Sequence, residues 1–394
     1  EQGFAFDFND LSTMYQDAAG TVPVTGVGQP VGLVLDKSKG LTRGINLVRN
    51  GDFNLNTDNW SANNSLLNID TALLTGNSLC VTVTASNACR AEQLLTNLTV
   101  GKYYCLSADV YTPSTNSTNV MGYIGIQVSG YTKLGSICNS KFDSKERLTI
   151  YFIASSTSQK IYLSLATANA VYFGNIGDKA YFDNIEVKEV YGNHATQSTS
   201  AKRPILQKNA TTGAYYLAFD GVDDFLVIPQ MDFSKNNQLS LFAGLRKFSD
   251  NVAIILEHAQ TGGAGYSSPG GWQLVSGNDS GVSQGYNITM NNDPYSILQL
   301  LYSNKTAPNS AVLITSIDKQ NGQAKFMYNS DIATSGTIKN KTFSNYALYI
   351  GIRGGNSIPF NGHIYTLIGV SRNVTNVELN STEFLIAKNV GVTL

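Results

Sequence analysis

The sequence predicts an all-β protein of two β-sandwich (jelly-roll) domains, one inserted into the other, with one short C-terminal helix. Alternating apolar and polar residues recur along most of the 394 residues, which is the pattern of strands with one buried face. The stretches LDKS at 35–38 and GNHATQ at 192–197 read as one continuous stretch that a complete sandwich interrupts. The chain is long enough for two domains that each bury a core.

The composition excludes some classes of partner. Only 14% of residues are charged, and 27 basic residues nearly balance 28 acidic ones. No basic field exists to hold a phosphate backbone, so we expect no nucleic-acid binding. No apolar run is long enough to span a bilayer, so we expect no membrane insertion. Asn, Ser, Thr, Gly and Tyr supply the surface instead, as in many extracellular all-β binding proteins.

The four cysteines all lie in the proposed insert, at Cys80, Cys89, Cys105 and Cys138. None forms a CxxC pair, which argues against a zinc site. Their even number permits two disulfides. The larger domain has no cysteine, which instead favours unpaired thiols in a protein made in a reducing cytosol.

The insert, residues 44–190, is dominated by strand signals. In KYYCLSADVYT one face carries the apolar positions Tyr104, Leu106, Ala108 and Val110. In the closing segment YFDNIEV, Asp183 shares its face with Ile185 and Val187, so its side chain should point inward. A buried carboxylate is costly unless donors or a cation compensate it. The alternative is a turn aspartate that accepts backbone N–H bonds.

Three segments of the insert, NLVRNGDFNLNTDNW, AEQLLTNLTVGKYYCLSADVYT and YFDNIEVKEV, occur in that order. They resemble the galactose-binding-like jelly rolls of bacterial carbohydrate-binding modules attached to xylanases and cellulases. The resemblance implies adjacent first and last strands, and therefore the adjacent termini that an insertion requires. It also implies a structural calcium held by Asp52 and Asp183. This chain has Asn54 where family members often have Glu.

Modules of this kind bind sugars through exposed aromatic faces and amide hydrogen bonds. The resemblance therefore implies a ligand site formed by Tyr123, Gln127, Tyr131 and Tyr172. Each tyrosine has an alternative interpretation as an ordinary surface or core residue. Trp60 is predicted to fill the core.

The outer domain comprises residues 1–40 and 191–394. Asn321-Gly322 between apolar flanks predicts a hairpin. Thr375 with Glu378 three residues later forms a capping box, which predicts a helix ending near Gly391.

The segments FDGVDDFLVIP and FNGHIYTLIGVSR, the latter followed by the predicted helix, resemble the concanavalin A-like (laminin-G-like) sandwich. The joined series DLSTMYQDAAG, PVGLVLDKS, GNHATQ, RPIL and FDGVDDF is similar to domains of bacteriophage tail and virion proteins. This resemblance implies a non-enzymatic module on the virion surface, extracellular after release. The fold alone decides little about function.

Two further clusters in the outer domain suggest sites. Asp220, Asp223 and Asp224 are predicted to fix a hairpin, with metal binding as the alternative. The ring-bearing residues of the Gly/Ser-rich stretch 261–286 suggest a ligand platform, or a mobile loop without a partner. These residues are Tyr266, Trp272 and Tyr286.

No catalytic residues are predicted, and we expect the protein not to be an enzyme. Glycosidases of the concanavalin A-like fold carry an E-x-D-x-x-E pattern, which does not occur here. No phosphate-cradling glycine loop occurs either. Glu257 and His258 are neighbouring acid and base, but adjacent strand residues face opposite ways.

These observations favour a non-catalytic virion surface protein, of the tail-fibre or adhesin type, that binds host-surface carbohydrate. The alternatives are a decoration or spacer protein that contacts only protein, and the non-catalytic part of a secreted polysaccharide-degrading enzyme. Other virion proteins are expected partners. A homo-oligomer is also expected, although the sequence shows no heptads or β-helical repeats that would build a trimer axis.

Overall fold

A computed structural model describes the whole chain except residues 1, 42, 75, 86–87, 118, 128–132, 168–173, 278–283, 294–295 and 339–341. The regular secondary structure of the described part is antiparallel strand apart from one α-helix and two 3-10 turns, which confirms the predicted fold class. It divides into two compact units. Unit 1 contains residues 1–18, 22–41 and 192–394, and unit 2 contains residues 19–21 and 42–191.

The first three strands belong to unit 1: β1 (Gly3–Asp7), β2 (Met14–Tyr15) and β3 (Leu33–Val34). The next ten belong to unit 2: β4 (Ser61–Asn63), β5 (Ser65–Asp70), β6 (Ser78–Val83), β7 (Arg90–Leu95), β8 (Tyr103–Tyr111), β9 (Met121–Gln127), β10 (Lys133–Cys138), β11 (Glu146–Ile153), β12 (Gln159–Ala166) and β13 (Lys179–Glu189).

The chain then returns to unit 1 with β14 (Ala195–Thr196), β15 (Ile205–Lys208), β16 (Tyr215–Asp220), β17 (Leu226–Asp232), β18 (Gln238–Lys247), β19 (Ala253–Ala259), β20 (Trp272–Gly277), β21 (Gly285–Asp293), β22 (Ser296–Tyr302), β23 (Asn309–Asp318), β24 (Gln323–Tyr328), β25 (Asp331–Thr337), β26 (Asn345–Ile350), β27 (Asn361–Val370) and the helix α1 (Asn376–Val390). Short 3-10 turns span Leu11–Thr13 and Ser200–Lys202.

Unit 2 is a sandwich of two five-stranded sheets, with strand orders β10-β9-β12-β7-β4 and β11-β8-β13-β6-β5. The apolar face predicted for β8 lies in its core, which confirms that part of the pattern. Trp60 is buried against Phe53 with ring centroids 5.8 Å apart, and its indole Nε1 donates to the carbonyl of Asn50. It therefore fills the core as predicted. Arg43 forms a β-bridge with Val190, so the two ends of the unit lie side by side.

A bulge in β13 changes the predicted direction of Asp183. Asp183 is directly opposite Asp109, whereas Ile185 and Val187 lie in the core. Asn184 between them has a φ of 49° and interrupts the register, so the alternation shifts by one residue. The prediction that Asp183 shares a face with Ile185 and Val187 is therefore wrong.

All four cysteines lie in described parts of unit 2, and no disulfide joins them. Burial is the main cause that raises the pKa of the Cys89 and Cys105 thiols. Neither thiol is therefore activated as a nucleophile.

Unit 1 is a larger sandwich. One sheet follows the order β15-β16-β27-β18-β23-β24-β25, with β1 also paired to β27, and the other follows β2-β3-β14-β17-β26-β19-β20-β21-β22. Apolar residues from both sheets form one core, which includes Met14. The strands β23 and β24 pair around Asn321-Gly322, which confirms the predicted hairpin.

Helix α1 packs on the outer face of the eight-stranded sheet, against Phe242 and Ile314. Gly244 on β18 has no side chain, which leaves room for Ile386 of the helix. Both hydrogen bonds of the Thr375–Glu378 capping box are present, and the cap at Gly391 is left-handed with a φ of 81°. The predicted helix and both of its ends are therefore confirmed. No helix among the described residues is long and apolar enough to cross a bilayer.

The two stretches that bracket unit 2 in the sequence are joined within unit 1. Val34 pairs with Ala195 across β3 and β14. The buried Asp36 accepts the N–H of Asn193 at 2.7 Å, and its own N–H donates to Nδ1 of His194 at 2.9 Å. These bonds hold LDKS against GNHATQ, and we call them the Asp36 junction.

Candidate functional site

The outer face of the nine-stranded sheet carries a row of mostly polar side chains. Positions directly opposite one another share a face. The row crosses seven strands and consists of Thr196, Val227, Tyr349, Glu257, Gln273, Thr289 and Gln299. The next residues along these strands, such as Leu256, Leu274 and Ile288, lie in the core. The row therefore faces away from the core of unit 1.

Arg353 organises the middle of this row from the loop that follows β26. Its Nε donates to Oε1 of Glu257 at 3.2 Å, and its Nη2 donates to Oε1 of Gln273 at 2.9 Å. Its guanidinium carbon lies 5.6 Å from the ring centroid of Tyr266, a cation–π distance. We call Tyr266, Glu257, Gln273, Tyr349 and Arg353 the Arg353 cluster.

The carboxylate of the cluster is enclosed and fully bonded. Glu257 is 0% exposed, and the backbone N–H groups of Gly265 and Gly354 also donate to it, at 3.1 and 3.0 Å. Burial raises the pKa of Glu257 above its ordinary value, although these donors and the guanidinium of Arg353 act in the opposite direction. Both oxygens of Glu257 already accept hydrogen bonds, from Arg353, Gly265 and Gly354. The role of Glu257 is therefore to hold Arg353 in place.

The outward side of the cluster is aromatic. Tyr266 and Tyr349 are half-buried, and Tyr349 lies 6.5 Å, centroid to centroid, from the half-buried Phe225. The side chain of Arg353 is 21% exposed between these rings. The surface thus combines flat apolar faces with hydrogen-bond donors on a rigid sheet, which suits ligands that have both apolar and hydroxyl-bearing faces.

The row contains no second carboxylate that could act with Glu257 as an acid–base pair. Hydrolysis of a glycosidic bond normally requires two carboxylates, and Glu257 is the one carboxylate among the seven residues of the row. His258 lies on the opposite side of β19, where it is 0% exposed and its Nε2 is 2.9 Å from the carbonyl of Met231. The predicted opposite orientation of Glu257 and His258 is confirmed.

Two of the three rings predicted as a platform are in the core instead. Trp272 is 0% exposed and Tyr286 is 1% exposed, and both pack among core residues. The prediction that they offer ligand-stacking faces is wrong, because β20 and β21 direct these positions inward. Tyr266 alone of the three belongs to the outer surface, and Gln273, the neighbour of Trp272, points outward.

The residues of the predicted site in unit 2 do not all have the same outcome. Tyr123 is 2% exposed, so it offers no open ring face and its predicted stacking role is wrong. Gln127 is half-buried at the end of β9, on the same side of that strand as Tyr123, and its role stays a prediction. Tyr131 and Tyr172 lie outside the described residues.

The acidic turn fixes its own backbone. Oδ1 of Asp220 accepts the N–H of Val222 at 2.8 Å and that of Asp223 at 3.3 Å, and Oδ2 of Asp224 accepts the N–H of Asp220 at 3.0 Å. This turn connects β16 and β17, which belong to different sheets, so the predicted hairpin is wrong although the turn-fixing role holds. Burial, with the nearby charges of Asp220 and Asp223, raises the pKa of Asp224 to about 6.

Asp183 in unit 2 has the properties expected of a cation ligand. It is 4% exposed, and its Oδ1 has no hydrogen-bond partner. Burial is the main cause that raises its pKa, and the charges of Asp109 and Asp52 add to it. A buried carboxylate oxygen without a hydrogen-bond partner, near the exposed carboxylate of Asp52, fits a calcium ion. Asp109 itself is already paired with Lys145 at 2.7 Å.

These features define a two-sandwich, all-β protein with a polar, aromatic sheet surface. The sequence matches no protein-family model. It has no significant match among curated protein sequences.

Solved structures that resemble parts of the chain include the CBM40 of the Ruminococcus gnavus IT-sialidase bound to α2,3-sialyllactose, with 17% identity over 39% of this chain and 90% of that chain and a TM-score of 0.30. A SAP-like pentraxin from Limulus polyphemus has 12% identity over 44% of this chain and 82% of that chain, with a TM-score of 0.35. The binding domain of botulinum neurotoxin serotype D has 10% identity over 48% of each chain, with a TM-score of 0.35. TM-scores this low carry no inference about the function of this chain.

Proposed function

We propose that the protein is a non-catalytic virion surface protein, of the tail-fibre or adhesin type, that binds host-surface carbohydrate at the Arg353 cluster. The observation that carries this proposal is the cluster itself. It sets Tyr266 and a partly exposed guanidinium on the outer face of a sheet, beside Tyr349. Aromatic faces suit the C–H face of a pyranose ring, and N–H donors suit its hydroxyl groups.

Arg353 has donors to spare for a ligand. A guanidinium carries five N–H donors. Two of them bond Glu257 and Gln273, and the other three have no acceptor among the described residues. Because Glu257 fixes the orientation of the side chain, little conformational entropy remains to be lost when a sugar hydroxyl accepts from it.

The virion role rests on the resemblance of the outer-domain segments to phage tail and virion proteins, together with the sparse charge of the chain. In this proposal, the partners are host glycans, other virion proteins and further copies of the chain, and the protein is extracellular after release. Detection of the chain in purified particles, and inhibition of particle adsorption by antibodies against it, would test this part. Its absence from purified particles would contradict the virion role.

The test of the binding site is a glycan array followed by titration of the best ligand into wild-type and Tyr266→Ala proteins. We expect Tyr266→Ala to weaken binding at least tenfold, because it removes the stacking face, and Tyr266→Phe to retain most of the affinity. Phe384→Ala on α1 is the matched control, since Phe384 is 64% exposed and lies outside the cluster.

Two outcomes would contradict the proposal at different levels. Absence of binding across a broad panel of host-envelope polysaccharides would contradict carbohydrate binding and favour a spacer that contacts only protein. Undiminished binding by Tyr266→Ala would preserve the function and reject the Arg353 cluster as its site. A hydrolase domain in the same open reading frame would favour the polysaccharide-degrading alternative.

We also propose that Asp52 and Asp183 hold a structural calcium in unit 2. The ion would give the buried Oδ1 of Asp183, which has no hydrogen-bond partner, a positively charged partner. We expect calcium to raise the melting temperature of the wild-type protein and chelation to lower it again. Asp183→Asn should abolish this calcium dependence, whereas Asp331→Asn, an exposed aspartate of unit 1, should preserve it. A calcium-independent melting temperature of the wild type would reject the site.

A further inference from the structure

The eight-stranded sheet of unit 1 carries a second aromatic surface beside the helix. Tyr216 on β16 and His363 on β27 stack with ring centroids 3.8 Å apart and planes 19° apart. Leu217 and Ile364, the next residues along these strands, lie in the core, so the two stacked rings face away from it.

Phe248 and Arg246 complete this surface at the end of β18. Phe248 is 40% exposed and meets the ring of His363 edge-on, with centroids 4.6 Å apart. The guanidinium carbon of Arg246 lies 5.2 Å from the Phe248 ring centroid, and Arg246 is directly opposite His363 in the register. We call Tyr216, Arg246, Phe248 and His363 the Arg246 patch.

The guanidinium of Arg246 has no ion pair and no hydrogen-bond acceptor among the described residues. This distinguishes it from Arg353, which is held by a carboxylate. Asp220, at the end of β16, is occupied by the backbone N–H groups of its own turn. Arg246 therefore presents an uncompensated positive charge on an aromatic surface.

The rest of the patch is neutral and incompletely hydrogen-bonded. Burial, assisted by the charge of Arg246, lowers the pKa of His363 to about 4, so the imidazole is uncharged at neutral pH. Nδ1 of His363 has no hydrogen-bond partner among the described residues. The patch thus combines one cation with three rings, which complements a ligand with one anionic group on an otherwise neutral, partly apolar ring.

We infer that the Arg246 patch is a second carbohydrate-binding site and that it takes a sugar bearing a carboxylate. The carboxylate would pair with the guanidinium of Arg246, because the planar fork of Arg matches a carboxylate in a bidentate arrangement. The apolar face of the same sugar ring would lie against Phe248. This site is on a different sheet from the Arg353 cluster and does not depend on it.

The test uses the full chain with ¹³C-labelled histidine and two oligosaccharides of equal length, one of glucuronic acid residues and one of glucose. The chain has three histidines. His194 and His258 are 1% and 0% exposed, so they are internal controls for His363. We expect the glucuronate oligomer to shift the His363 ring signals selectively and to bind more weakly as salt rises, because screening reduces the Arg–carboxylate attraction.

Arg246→Gln should weaken glucuronate binding tenfold or more and change the melting temperature little, since the guanidinium loses only its contact with the exposed Phe248 ring and no ion pair. Tyr266→Ala should leave this binding intact, which separates the two sites, and Phe384→Ala again controls for loss of an exposed aromatic ring. Failure of glucuronate to shift His363, equal affinity of wild type and Arg246→Gln, or equal affinity for the neutral oligomer would each overturn the inference. Preference for a sulfated glucose oligomer would overturn the assignment to a carboxylate.

Discussion

At the scale of single residues, neighbouring positions on a strand have opposite roles. Glu257 holds Arg353 on the outer surface while His258 is enclosed in the core. Gln273 belongs to the same polar row while Trp272 fills the core. A tryptophan in a Gly/Ser-rich stretch suggests a sugar platform, but only the direction of the strand decides which of two neighbours faces away from the core.

Arg353 could not have been identified from its sequence context. It lies in a Gly-rich loop, 96 residues from Glu257 and 80 from Gln273. Such a cluster depends on which strands pair, and one sequence alone does not fix strand order. Tyr266 could be found because aromatic rings in polar, glycine-rich stretches are a weak signal of ligand contact.

Asp224 should make the stability of unit 1 depend on pH. Its pKa in the folded protein is about 6, raised from 3.8 mainly by burial. Its contribution to stability is therefore fully present below about pH 4 and lost as the pH rises through about 6. We expect Asp224→Asn to lose less free energy of unfolding than the wild type between pH 4 and pH 7, as measured by denaturant titration at each pH. The exposed Asp331→Asn controls for removal of one charge, and parallel wild-type and Asp224→Asn profiles would refute this account.

At the scale of secondary-structure elements, the alternation of apolar and polar residues predicts the buried face correctly where a strand is regular. The alternation in β8 placed four core residues correctly because that strand is regular. In β13 the left-handed residue Asn184 breaks the alternation, so the same rule assigned Asp183 to the wrong face. Bulges depend on cross-strand register and leave little trace in one sequence.

The N-terminal cap of α1 should contribute measurably to stability. The hydroxyl of Thr375 accepts from the backbone N–H of Glu378, and the carboxylate of Glu378 accepts from the N–H of Thr375. We expect Thr375→Ala to lower the free energy of unfolding by about 1 kcal/mol, because the helix loses its capping acceptor. Thr375→Ser should retain most of it. Ser381→Ala, which removes a mid-helix hydroxyl bonded to Val377, is the control, and an effect of equal size there would argue against a specific cap.

At the scale of the whole molecule, each unit has a core drawn entirely from its own residues. The large core of unit 1 combines N-terminal residues such as Phe4 with residues beyond 192, and the core of unit 2 runs from Val48 to Val187. The recurrence of strand patterns predicted sandwiches in both regions. Sheet order could not be predicted, because β27 joins β1, β16 and β18 from distant parts of the chain.

Residues 42–191 should fold when expressed alone. Their ends meet at the Arg43–Val190 bridge, and their two sheets enclose a complete apolar core. We expect dispersed amide signals and a cooperative thermal transition, measured by nuclear magnetic resonance and circular dichroism. Val187→Asp, which introduces a charge into the core, is the unfolded reference. A wild-type segment as disordered as that variant would show that the unit needs the rest of the chain.

The Asp36 junction has a consequence for how such proteins change over evolutionary time. Hydrogen bonds among Asp36, Asn193 and His194 join the segment before the insert to the segment after it. The larger sandwich is therefore closed at this seam by its own residues. Any compact module whose ends come together could occupy that interval. Recombination at this seam would then exchange one module for another and leave the scaffold, with both of its proposed binding surfaces, unaltered.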